Sequence, residues 1–78
     1  MYEIIGVRKV SYFNKKTQRQ VDGTAVFVTY EADDISGYGC KEFFISARLG
    51  FPHEEFVLGR RITPYFDEHK RVQHVIFQ

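Results

Sequence analysis

The chain has 78 residues, with 11 Lys or Arg against 10 Asp or Glu, one Cys, three His, no Trp and 17% aromatic residues. A chain this short without internal repeats makes a single domain, 1–78, and buries only about 60–65% of its unfolded surface, so its core has little margin. The lone Cys40 excludes an intramolecular disulfide, the scattered histidines exclude a Cys/His metal cluster, and no apolar run reaches membrane-spanning length.

The opening residues, Met1-Tyr-Glu-Ile-Ile-Gly-Val-Arg-Lys9, lack the positive start and apolar run of a signal peptide. Together with the single free thiol, this points to a soluble protein of a reducing cytoplasm, with no membrane partner. Tyr2 to Phe13 is dense in β-formers and reads as a long first strand, in which Gly6 predicts a bulge or bend. Asn14 to Gln20 is polar, basic and free of acids, the composition of a hairpin tip. A second strand runs from Val21 to Ala32, with Asp22-Gly23 as a kink, and Asp33 to Gly39 is a turn that leaves Tyr38 exposed. The third strand covers Cys40 to Ala47. Pro52, the acids Glu54 and Glu55, and the exit Gly59 predict one or two helical turns between Gly50 and Gly59, with Phe51, Phe56 and Leu58 capping an open end. Arg60 to Phe66 is the fourth strand, Asp67 to Arg71 a tight turn and Val72 to Phe77 the fifth strand. Pro64 cannot donate a ladder hydrogen bond, so it belongs at an edge or bulge.

This order predicts an all-β fold, a five-stranded barrel of the oligonucleotide-binding (OB) type with one short helix between strands 3 and 4. A small SH3-like barrel is the rival, although its single helical turn usually precedes the last strand. Side-chain alternation gives a predicted core of Ile5, Val7, Val26, Val28, Phe43, Ile45, Ile62 and Phe66. Opposite it stand Tyr12, Phe27, Phe44, Tyr38 and Tyr65, more flat rings than one small core needs. Unstacked bases stack on such rings at roughly 1–3 kcal/mol each when cations follow the backbone.

The cations are unevenly spread. Residues 1–21 carry Arg8, Lys9, Lys15, Lys16 and Arg19 against Glu3 alone, and residues 56–78 carry Arg60, Arg61, Lys70 and Arg71 against Asp67 and Glu68. The middle is acidic, so the two ends make a basic stripe if the fold sets them side by side. The candidate nucleic-acid-binding set is therefore Arg8, Tyr12, Lys15, Lys16, Arg19, Phe27, Tyr38, Phe44, Arg61 and Tyr65. The bland alternative for the rings is burial in the core or in a dimer interface. For the basic loop it is a solvated tip.

Enzymatic chemistry has no foothold. His53, His69 and His74 have no Cys or paired carboxylate at ligand spacing, and there is no phosphate loop or nucleophile elbow. Asp33-Asp34 lacks a calcium-loop pattern, and Cys40 has no evident activating base. A non-catalytic protein without cofactor, metal or small-molecule substrate is expected. A homodimer is expected too, because a marginal core with strands apolar on both faces gains from pairing.

The opening Met1-Tyr-Glu-Ile-Ile-Gly-Val7, the loop Asn14-Lys-Lys16, Val28-Thr-Tyr-Glu31, Phe43-Phe-Ile-Ser46 and Leu58-Gly-Arg-Arg-Ile62 give the chain a further aspect. In these it resembles the short phage and mobile-element proteins related to the filamentous-phage single-stranded-DNA-binding protein. The resemblance implies a homodimeric OB-type barrel that coats single strands, with tyrosines and phenylalanines as stacking platforms and Arg/Lys on the hairpin wings. A protein–protein module of a phage or plasmid accessory factor is the alternative reading.

Overall fold

The alternating β-branched and aromatic positions of the sequence become five strands. The computed structural model describes residues 2–78 and contains β1 (Tyr2–Asn14), β2 (Arg19–Tyr30), β3 (Gly39–Ser46), β4 (Arg61–Phe66) and β5 (Val72–Phe77). They form one antiparallel sheet in the order β3-β2-β1-β4-β5. β3 and β5 are its outer strands, no ladder joins them, and the sheet is not closed into a barrel. No helix is long and apolar enough to cross a membrane among the described residues.

The helix expected between Gly50 and Gly59 is replaced by two short 3-10 turns, Ala47–Leu49 and His53–Glu55. Gly50, in the left-handed region at φ 82°, ends the first, whose start is capped by Ser46 Oγ accepting from the Arg48 N–H. Pro52 is the extended residue before the second turn rather than its first helical residue. Glycine and proline in so short a segment leave no run long enough to propagate a helix.

The core is Ile4, Val26, Val28, Phe43, Ile45, Phe56, Ile62 and Val75, with Tyr2, Val7, Leu49, Phe51, Val72 and Phe77 packed against it. Three expectations fail here. Ile5 is 52% exposed and Ile4 is 0% exposed, because the register shifts between Ile4 and Gly6 and turns Ile5 outward. Leu58 is exposed, whereas Phe56 is buried in the core and Phe51 packs against it, the Phe56 ring tilted against Phe77 with centroids 5.3 Å apart. Phe66 keeps a contact with Phe43 at 5.6 Å but stays exposed, since the sheet stops there. The predicted kink at Asp22-Gly23 is absent, and Gly23 pairs in register with both Val10 and Ser46. Pro64 does stand on an edge, since β4 pairs with β1 only through Arg61 and Ile62.

β1 and β2 continue past the core as a two-stranded arm. Thirteen residues at roughly 3.3 Å each reach about 43 Å, which accounts for the 42 Å long axis against 25 and 19 Å across. Polar side chains hold the arm in register: Ser11 Oγ donates to Asp22 Oδ1 at 2.7 Å, and Gln20 Nε2 donates to Ser11 Oγ at 3.0 Å.

The β4–β5 turn is held differently. Asp67 Oδ1 accepts from the His69 and Arg71 N–H groups, both at 2.9 Å, and Lys70 sits at φ 62°. The Arg71 N–H bond, then that from His69 with the nearby positive charges, outweighs desolvation and holds the Asp67 carboxyl below its ordinary value of 3.8. A carboxyl depressed in the fold stabilises the turn above the ordinary value, and that contribution disappears as pH falls through the depressed one. The His69 and Arg71 amide resonances are expected to titrate together with a midpoint below 3.8, and Asp67→Asn to abolish that transition. A midpoint at or above the ordinary value would show that the carboxylate does not hold the turn.

Candidate functional site

Cross-strand partners point to the same side of a sheet, so the register assigns each candidate a face. Arg8, Ala25 and Phe44 are partners across β1, β2 and β3, as are Gly6, Phe27 and Glu42, while Tyr12 faces Val21. Tyr12, Phe27 and Phe44 therefore share the face opposite Val26, Val28 and Phe43, as alternation predicts. Tyr12 is 51% and Phe44 41% exposed, and Phe27 is half-buried. Arg8 lies 5.9 Å over the Phe27 ring and 3.7 Å from Glu42, a solvated arrangement of small energetic weight.

Phe44 is set in place by a glycine. Its ring lies across Gly23, where a Cβ would come within 2.6 Å of Cζ and 2.8 Å of Cε1. Only the missing side chain lets the ring lie down on β2.

From Phe44 a groove of about 1170 Å³ runs over the free edge of β3. The tip of the β1–β2 arm bounds one side and the β4–β5 turn the other. Phe44 and Phe66 supply its exposed rings, and Arg19, Arg48, Lys70 and Arg71 its cations. None of these four makes an ion pair among the described residues, whereas the groove's acids are engaged locally. Asp22 accepts from Ser11 and Gln20, Asp67 closes its own turn, and Glu42 faces Arg8. Lys15 and Lys16 are exposed at the arm's tip, next to the groove-lining Asn14 and Thr17, and Asn14 Oδ1 accepts from the Lys16 N–H at 3.0 Å.

The remaining candidates lie elsewhere. Tyr38 and Arg61 come together in a separate recess of about 310 Å³ at the opposite end of the sheet. Tyr65 stands on β4 beside His74, 6.5 Å between ring centroids, outside both cavities. The groove also takes in four residues absent from the predicted set, Arg48, Phe66, Lys70 and Arg71. Arg48 is carried there by the Ser46-capped turn, and the pattern Ser46-Ala-Arg-Leu-Gly50 was its available signal. Phe66 is predicted in the core, and no local signal separates the two roles.

No Cys, His, Asp or Glu grouping able to hold a metal occurs among the described residues. Cys40 is free and exposed. No family model, no curated protein and no solved structure matches the chain.

Proposed function

We propose that the protein is a non-catalytic, OB-like module that binds single-stranded nucleic acid, with DNA as the expected form. The observation that carries this is the groove between the two hairpin tips, where the side chains of Arg19, Arg48, Lys70 and Arg71 form no ion pair among the described residues and Phe44 and Phe66 offer exposed rings. Cations that follow a phosphate backbone beside stackable rings are what sequence-tolerant single-strand binding requires. The strand order supports the OB-like reading, because that architecture is a five-stranded, partly open barrel that binds across strands 2 and 3 and the loops joining strands 1–2 and 4–5. The resemblance to phage single-stranded-DNA-binding proteins agrees with it.

Anisotropy of a labelled thymidine oligonucleotide tests the proposal. Each phosphate neutralised on a single strand adds roughly 0.7 to the slope of log K against log salt, so four contacts give about 2.8. Arg19→Gln with Arg48→Gln is expected to lower that slope by about 1.4. Phe44→Ala is expected to weaken binding roughly 5- to 150-fold with little change in salt dependence. No anisotropy change at low salt and micromolar protein would reject the proposal.

A second reading, a homodimer or protein-partner surface, is favoured by one observation. Ile5, Val57 and Leu58 are all exposed, and the bonds from Gly59 N–H to Ile4 O and from Ile4 N–H to Arg60 O bring their segments together. Sedimentation decides between the readings: a dimer indifferent to oligonucleotide assigns the apolar surface to self-association and removes the nucleic-acid role.

A further inference from the structure

The recess that holds Tyr38 and Arg61 has a chemistry of its own. Tyr2, Glu3, Tyr30, Glu31, Tyr38 and Arg61 line it, at the end of the sheet away from the arm's tip. Glu3 is the register partner of Thr29 on β2 and of Arg61 on β4, so the three side chains form one row on one face. Neighbours in such a row stand roughly 4.5–5.5 Å apart at Cβ. Nevertheless Glu3 and Arg61 form no ion pair among the described residues, and each keeps its hydrogen-bonding capacity for something else.

The rings that line the recess are fixed to different degrees. Tyr30 lies across Gly39, where any Cβ would collide with its ring, and Lys41 Nζ sits 5.4 Å from the Tyr30 ring centroid. Tyr2 meets Tyr30 edge-on, with centroids 5.6 Å apart and planes at 71°. Tyr38 is 67% exposed, on the loop between Gly37 and Gly39. Tyr2 and Tyr30, whose register partners are Ile62 and Gly39, belong to the opposite face and line the recess from the end of the sheet, so Tyr38 is the ring available to lie over a flat ligand.

Charge narrows the ligand. Two carboxylates against one guanidinium disfavour a phosphate, and Arg61 disfavours a quaternary ammonium. A neutral, planar ligand that offers two adjacent donors beside an acceptor satisfies both Glu3 and Arg61. Among the bases only guanine does so: N1–H and N2–H reach one carboxylate while O6 accepts from a guanidinium. The Watson–Crick edges of adenine, cytosine and thymine each place acceptors against the carboxylate.

We infer that this recess recognises guanine, with Glu3 accepting from N1–H and N2–H, Arg61 donating to O6 and Tyr38 stacking on the base. For a guanine within a strand this rests on the nucleic-acid reading above; for a free guanine nucleoside it does not. Titrating the protein with guanosine, adenosine, cytidine and thymidine, followed by amide resonances, tests the recess by itself. Guanosine alone is expected to shift the amides of Glu3, Thr29 and Gly39, and the exposed substitution Glu3→Gln to remove the response without unfolding the protein. In the second arm a single central guanine in a thymidine oligonucleotide is expected to tighten binding roughly 5- to 150-fold, and Glu3→Gln to erase the difference. Guanosine shifts without any oligonucleotide binding would support the recess as a site for free guanine nucleosides and reject the groove reading. Oligonucleotide binding without guanine preference and without guanosine shifts would overturn the recess and leave the groove. Equal shifts from all four nucleosides would reduce the recess to an unselective stacking surface and also overturn it.

Discussion

Ile4→Ala is expected to cost about 2–5 kcal/mol and Ile5→Ala less than about 0.5 kcal/mol. The two residues are identical and adjacent, so the contrast isolates the register shift between Ile4 and Gly6. Ile4 is fully buried, opposite Val28, and its N–H and carbonyl hold Arg60 and Gly59 at 2.9 and 2.7 Å. Truncation leaves a cavity under the point where the β3-β2-β1 half of the sheet meets the β4–β5 hairpin. A domain of this size has a total stability of about 4–12 kcal/mol, so Ile4→Ala removes much of it. Ile5 points outward at the shift, where half of it already meets solvent and it belongs to no buried cluster. Thermal unfolding followed by circular dichroism reads both, at roughly 4–8 °C per kcal/mol. Equal losses would mean that β1 pairs with β2 in one unbroken register.

That contrast also marks how far the sequence can be read. The five strands were legible because each is a run of β-branched and aromatic residues bounded by turn residues, and their ends move by two residues at most, as in β2, which runs 19–30 rather than 21–32. Gly6 announced a bulge, but which neighbour it would turn outward depends on the pairing with β2, and period-two counting carried the parity straight through. Tyr12, Phe27 and Phe44 were placed on one face because no shift separates them from Val26 and Phe43 in register. Phe66, Lys70 and Arg71 are groove residues through the approach of β3 to the β4–β5 turn, an event with no local signature. The meeting of Tyr38 with Arg61 was hidden for the same reason, since it needs β1 to hold β2 and β4 on either side.

Gly23→Ala, the second large effect, is expected to destabilise the protein by about 1–3 kcal/mol and to weaken oligonucleotide binding as much as Phe44→Ala does. In a strand, alanine in place of glycine would by itself be worth roughly 0.5–1 kcal/mol of stability through reduced chain entropy, so the expected loss must come from contacts. Two are available. The new Cβ meets the Ile45 carbonyl oxygen, which cannot yield without moving β3, and the Phe44 ring, within 2.6 Å of Cζ, which can swing away into solvent. The ring's departure removes the stacking platform, and the carbonyl clash strains the ladder between Gly23 and Ser46. Combining Gly23→Ala with Phe44→Ala separates the contributions. The double variant should recover the part of the stability loss caused by the ring, a coupling of about 0.5–3 kcal/mol, and retain the part caused by the carbonyl. Its binding should match that of Phe44→Ala alone, because both act through one ring. If Gly23→Ala instead binds as the unmodified protein does while losing stability, Phe44 is a packing residue seated on a glycine, and the stacking role passes to Phe66 on the other side of the groove.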